Sequence, residues 1–221
     1  EDAFQNPENV YSLKIDPVNN TKKVINGISL ITNIGIRDVK SIPNDILKLK
    51  NLKKLYFINC KFEEFPKIIF ELENLEFLGI DCCNLKEIPI GIAKLKKLKQ
   101  LNLYNNRLTT LPVCIGELSK LRWLGINGNL ITSFPLEIGK LRNLECFQNG
   151  YNYKNKYNCI IPDTILSIDS LTQIILFANQ EIIVNELKKL SRVKNLKDLR
   201  LFMQGVDSLP KELFDLGGLE S

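Results

Sequence analysis

Apolar residues recur along this chain with two superposed spacings. Residues 52–66 (LKKLYFINCKFEEFP), 75–89 (LEFLGIDCCNLKEIP), 98–112 (LKQLNLYNNRLTTLP) and 121–135 (LRWLGINGNLITSFP) share one pattern, L-x-x-L-x-L-x-x-N/C-x-L-x-x-L-P. Each continues as P-x-x-I-x-x-L, through Pro66, Pro89, Pro112 and Pro135. Within a repeat, the x-Leu-x-Leu-x core alternates with the period of a half-buried strand. Between repeats, Leu55, Leu78, Leu101, Leu124 and Phe147 recur at one constant interval, and Ile174 and Leu199 follow after slightly longer ones. Upstream, Ile28 stands one long coil before Leu55 and reads as its equivalent in the first repeat. No single repeat can bury its own apolar side, so stacked neighbours must share one core. The expected fold is α/β: a curved solenoid of about eight repeats, with a parallel sheet on the concave face and the rest of each coil returning outside it.

The polar positions fit the same register. One column holds Asn33, Cys60, Cys83, Asn106, Asn129, Asn152, Asn179 and Gln204. A small polar side chain there is expected to turn inward and bond the backbone as the chain leaves the strand. Cys60 and Cys83 fit this ladder as small buried residues, although a disulfide between adjacent coils is sterically conceivable. Lys53, Glu76 and Lys99, and Lys50, Glu73 and Lys96, alternate in sign from coil to coil as surface ladders.

Three features break the regularity. Residues 1–24, with one weak strand at Val10, Leu13 and Ile15, read as an N-terminal cap on a solenoid of residues 25–221. Extra residues separate ladder position from proline at Asn33–Pro43 and Asn152–Pro162, and the second insertion is a Tyr- and Lys-rich loop. Residues 180–195 lack the proline and place Ile182, Ile183, Leu187, Leu190 and Val193 on one helical face, so this coil is expected to return through an α-helix. After Leu216 no distinct polar cap follows, which leaves the last strand edge open to pairing with a second copy.

With the L-P-x-x-I-x-x-L coils and the opening AFQNPENVYSLKID, the sequence resembles the leucine-rich repeat family, and within it the bacterial 23-residue type found in leptospiral proteins. The resemblance runs over residues 3–221. It implies a secreted or cell-envelope protein that contacts other proteins, host molecules included; an intracellular scaffold in the cytoplasm is the alternative.

Composition narrows the chemistry. The 221 residues are 44% hydrophobic and 25% charged, with a formal net charge of +5, which describes a globular protein. No apolar run is long enough for a membrane span, and the acidic Glu1 and Asp2 open no signal peptide. Histidine is absent, which removes the usual general base and the commonest metal ligand. With no phosphate-binding or dinucleotide motif, no catalytic residue, cofactor, metal or small-molecule substrate is expected.

The register names the side chains that leave the sheet on its concave side. Three columns run Gly27, Lys54, Phe77, Gln100, Trp123, Cys146, Gln173, Asp198; Ser29, Tyr56, Gly79, Asn102, Gly125, Gln148, Ile175, Arg200; and Ile31, Ile58, Asp81, Tyr104, Asn127, Gly150, Phe177, Phe202. Aromatics dominate and the charges cancel. Such a surface suits a protein partner, and Tyr56, Phe77, Asp81, Tyr104, Trp123, Asn127, Phe177, Arg200 and Phe202 are the expected contacts. Gly79, Gly125 and Gly150 are expected to open pockets beside Phe77 and Trp123, with Cys82 and Cys146 exposed nearby. Electroneutrality argues against nucleic acid; only the basic convex side and the 150–161 loop would favour a polyanion.

Overall fold

The computed structural model describes residues 12–15, 33–38, 40–150, 161–204, 211–214 and 216. Nine strands form one parallel sheet in chain order: β1 (Ser12–Ile15), β2 (Asn33–Arg37), β3 (Lys54–Ile58), β4 (Phe77–Asp81), β5 (Gln100–Asn102), β6 (Trp123–Gly125), β7 (Cys146–Gly150), β8 (Gln173–Asn179) and β9 (Asp198–Gln204). From β3 onward the pairing is the one the repeat dictates, with Leu55 opposite Leu78, Leu78 opposite Leu101, Leu101 opposite Leu124 and Leu124 opposite Phe147. These five side chains are completely buried, as are Phe57, Ile80, Leu103 and Ile126, each two positions further on. Each such side chain contributes about 1.5–3 kcal/mol, and each is covered by its equivalents one coil away.

The first repeat departs from expectation. Ile34, not Ile28, lies opposite Leu55, and Leu13 lies opposite Ile34. The coil from Ile34 to Leu55 is therefore slightly shorter than the standard repeat, and it carries no insertion. Asn33 is correspondingly not a ladder residue: it begins β2, opposite Lys54. Asn33, Gly35 and Arg37 take the three places expected for Gly27, Ser29 and Ile31. The physical reason is degeneracy. Gly27-Ile28-Ser29-Leu30 and Asn33-Ile34-Gly35-Ile36 carry the same alternation in close succession, so by pattern alone either could supply the strand. Only the stacking of whole coils distinguishes them.

Each standard coil turns on the outside through a short 3-10 helix: Asn44–Lys48, Lys67–Glu71, Ile90–Lys94, Val113–Glu117, Leu136–Lys140 and Asp163–Ser167. The preceding proline caps each one, and its carbonyl accepts the N–H of the buried isoleucine three positions later. Proline thus opens the outer turn, because its fixed φ already suits that place. The proline-free coil returns through α1 (Gln180–Leu190), which buries Ile183, Leu187 and Leu190. Its buried Glu186 accepts the Ile161 N–H at 2.7 Å, tying the helix to the preceding coil.

Leaving the strand, the chain reverses through left-handed backbone in five successive coils, at Asp38, Asn59, Cys82, Asn105 and Gly128. Asn, Asp and Gly tolerate this region; Cys82 is the exception. From the second of these coils onward, the next residue is the ladder position. Asn106 accepts the Cys83 and Leu85 N–H groups and donates to the carbonyls of Ile80, Leu103 and Tyr104. Asn129 repeats the arrangement with Leu108, Leu103 and Ile126. Cys60 and Cys83 sit fully buried in the same column as thiols, not as a bridge. The Cys83 thiol reaches the Asp81 carbonyl at 3.1 Å. Contact with Cys60 and burial both push its ionisation far up. Asn179 and Gln204 pair at the ends of β8 and β9, and Asn152 lies outside the described residues.

Candidate functional site

The concave face is made by the residues that alternate with the buried leucines. Its registry brings side chains that are a whole coil apart in sequence into neighbouring rows. Tyr56 and Phe77 meet with ring centroids 6.0 Å apart, and Phe177 stacks on Phe202 at 4.5 Å with the rings almost parallel. Phe202 remains 52% exposed, and its strand is the sheet's last. The aromatic row expected from sequence is therefore present as separate groups, part of whose area is spent on one another.

The glycines make no pockets. A Cβ at Gly79 would lie 2.0 Å from the Tyr56 ring, and one at Gly125 would lie 2.3 Å from the Tyr104 ring. Each tyrosine lies down across the glycine of the next coil. The Tyr56 hydroxyl then donates to Asp81 Oδ2, and the Tyr104 hydroxyl reaches Gln148 Oε1 two strands away. Phenols stack well on a glycine backbone because no side chain holds them off, and their hydroxyls need a partner once half-buried. Burial pushes the Tyr104 phenol up to about 12, against the pull of the Trp123 indole. A groove of about 580 Å³ does run beside Phe77 and Trp123. It follows the entry ends of the strands, floored by Gln100, Cys146 and Gln173 and walled by charged residues. Cys146, expected to be exposed, is buried in this floor, where burial pushes its thiol up to about 12.

Ion pairs running from coil to coil form part of the groove wall, alongside Lys54 and Lys197. Glu76 binds Lys99 at 2.7 Å and Lys53 at 3.5 Å, and Arg122 grips Glu145 through both Nε and a terminal nitrogen at 2.7 Å. The hydrogen bond from Lys99 is the largest cause holding the Glu76 carboxyl below its ordinary range. Arg200 pairs with Asp198 at 2.9 Å. Lys96 contacts Glu117 at 3.0 Å in place of the expected Glu73.

Asp81 is the unusual member. The register makes it an open contact, yet it is 8% exposed, lying in the row between Ile58 and Tyr104 with Tyr56 closed over it. Its Oδ1 has no hydrogen-bond partner, and neither do the buried Oδ1 atoms of Asn102 and Asn127 from the next two coils. Among the described residues no cation pairs with it. Burial raises its carboxyl above the ordinary range, against the lowering effect of the Tyr56 hydroxyl. A carboxyl whose folded value is raised contributes stability below its unfolded value and loses it as pH rises through the folded one. Asp81→Asn, which keeps the shape and an acceptor for Tyr56, is therefore expected to raise the melting temperature at pH 7. The gain should vanish below about pH 4, where aspartate is protonated in both states. Equal melting temperatures at both pH values would refute this. Asn102 and Gln148 are absent from the contacts expected from sequence. The signal that marks Gln148 is a tyrosine followed by a glycine one coil later, Tyr104–Gly125, which lays a phenol toward a polar residue beyond, as Tyr56–Gly79 does toward Asp81.

The 151–160 insertion lies outside the described residues. No group of three or more His, Cys, Asp or Glu side chains that could hold a metal occurs among the described residues, and no described helix is long and apolar enough to cross a membrane.

The profile of the family described as "leucine-rich repeat region" matches residues 90–216, more than half of the chain. No curated protein matches the sequence. Among solved structures, a leucine-rich repeat protein of Leptospira interrogans is 28% identical with a TM-score of 0.66, covering 99% of this chain and 61% of its own. An internalin of Listeria monocytogenes is 18% identical with a TM-score of 0.68, covering 98% of this chain and 62% of its own. The ectodomain of the Arabidopsis receptor kinase HAESA, solved with an extended IDA peptide hormone, is 23% identical with a TM-score of 0.59, covering 85% and 32%. This chain thus spans about three fifths of the length of the two bacterial structures, and the resemblance to leptospiral proteins holds.

Proposed function

The chain belongs to the leucine-rich repeat family, and on that premise we propose that it is a non-catalytic binding module whose concave face holds a protein partner. The observation carrying this reading is the Trp123 groove together with the Phe177–Phe202 stack. Both present aromatic area on a rigid sheet, so little side-chain entropy is lost on contact. The internalin and the hormone-bound receptor ectodomain carry the same fold, and the latter holds a peptide. The ion-paired groove wall leaves no stripe of one sign, which favours protein over nucleic acid. Secretion or attachment to the cell envelope, with a host or cell-surface protein as partner, belongs to the same reading. Its dimeric form would pair the edge of β9 with a second copy.

The test uses three immobilised proteins: wild type, the concave double variant Trp123→Glu/Phe202→Glu, and Leu136→Glu on the outer face, where Leu136 is 77% exposed. Circular dichroism first establishes that all three fold alike. Proteins captured from host and bacterial extracts are then compared by mass spectrometry. A partner retained by wild type and Leu136→Glu, and lost at least tenfold by the concave variant, is expected. Loss by Leu136→Glu alone would move the site to the outer face.

A further inference from the structure

Asp81 is a charge that the fold itself does not compensate. Burying a carboxylate is costly unless it is paired, and the chain carries 30 Lys and Arg residues. Instead it has the Tyr56 phenol, with the Tyr104 backbone N–H as a weaker neighbour and no cation among the described residues, while three acceptor oxygens in three consecutive coils, Asp81 Oδ1, Asn102 Oδ1 and Asn127 Oδ1, lack hydrogen-bond donors. Buried acceptors are normally satisfied. All three belong to concave columns, and Asn102 lies between the strand positions covered by the Tyr56 and Tyr104 rings. A ligand that answers this arrangement is positively charged, carries several N–H donors, and is flat enough to stack on phenol rings.

We propose that Asp81, with the amide oxygen of Asn102 on the adjacent strand, seats an arginine side chain of the partner, and that the Tyr56 ring lifts to admit it. The proposal rests on the concave face being the binding face. A guanidinium supplies five N–H groups in a fixed plane and stacks on aromatic faces, whereas an ammonium is a compact, strongly hydrated point charge. Neighbouring strands lie about 4.8 Å apart, so acceptors on adjacent strands suit a forked donor better than a single one. Tyr56 is held by one hydroxyl bond, its seat on Gly79 and the edge of Phe77, and the first two can be exchanged for a stack on the guanidinium.

The probe is acetyl-arginine methylamide titrated into the whole chain. It is followed by fluorescence of Trp123, the single tryptophan, and by amide NMR shifts at Gly79, Asn102 and Gly125. Saturable binding, roughly millimolar for so small a ligand, is expected at those amides. The citrulline analogue, equal in shape but uncharged, should bind at least tenfold more weakly, and the lysine analogue should fall between. Asp81→Asn should lose the arginine preference, and Tyr56→Phe, which frees the carboxylate, should bind as tightly as wild type or more so. Equal binding of arginine and citrulline, or unchanged arginine binding by Asp81→Asn, would overturn the proposal. If arginine fails to bind while Trp123→Glu/Phe202→Glu still loses the captured partner, the anchor falls and the concave binding face stands.

Discussion

Replacing Asn106 with alanine is expected to destabilise the solenoid by about 3–5 kcal/mol, since a buried backbone group left without its partner costs about 1–3 kcal/mol. The side chain makes five hydrogen bonds to backbone in two adjacent coils. Alanine removes the acceptor of the Cys83 and Leu85 N–H groups and the donor to the Ile80 carbonyl. Two of the five losses are softened: the Leu103 carbonyl keeps Asn129, and the Tyr104 carbonyl keeps the Cys82 N–H. Asn106 is buried, so solvent cannot readily take over its bonds. Asn129→Ala should cost less, because Asn129 makes three such bonds. Urea unfolding followed by circular dichroism and by Trp123 fluorescence, one coil away, checks both size and order. A midpoint for Asn106→Ala within error of wild type, or one above that of Asn129→Ala, would remove the ladder from its structural role.

Gly150→Ala should rank next, at about 2–4 kcal/mol. Gly150 ends β7 with φ at +139°, a backbone region that L side chains rarely adopt. Its Cβ would also lie 2.2 Å from the Phe177 carbonyl oxygen and 2.5 Å from the Phe177 nitrogen. These are backbone atoms of the paired strand, so relief requires β7 and β8 to part where Gly150 lies opposite Phe177. The damage should be local at first. The Gly128 N–H, which donates to the Gly150 carbonyl at 3.0 Å, is expected to exchange its hydrogen much faster in the variant. Gly35→Ala is the control: its Cβ would meet nothing within 4 Å among the described residues, and its stability should stay within about 0.5 kcal/mol of wild type. If the two substitutions proved equally mild, close approach at the β7–β8 join would not be what selects glycine there.

Most of the sheet is legible in the residues because the repeat supplies the same instruction many times. Alternating leucines fix which face of each strand is buried, and the constant repeat interval fixes which leucine meets which. The absent proline and the apolar spacing of residues 180–195 likewise identify α1. The same logic fails at the first coil, where two equivalent alternations in close succession satisfy every local rule. Ile34 prevails over Ile28 through the fit of a shortened coil on β3, a property of the stack and not of the segment.

The candidate site divides along the same line. From β3 onward, sequence by itself determined which side chains leave the sheet on the concave side, since alternation leaves them no other direction. It also determined that they are aromatic and nearly balanced in charge. Only tertiary structure decided how they lie on that surface. Tyr56 and Tyr104 fall across glycines of the next coil, Cys146 sinks into the groove floor, and Asp81 becomes a buried, half-satisfied carboxylate. The direction of a side chain is set by the backbone period, which a sequence records. Its exposure depends on what the neighbouring coils leave uncovered, and that is settled only when the coils stack.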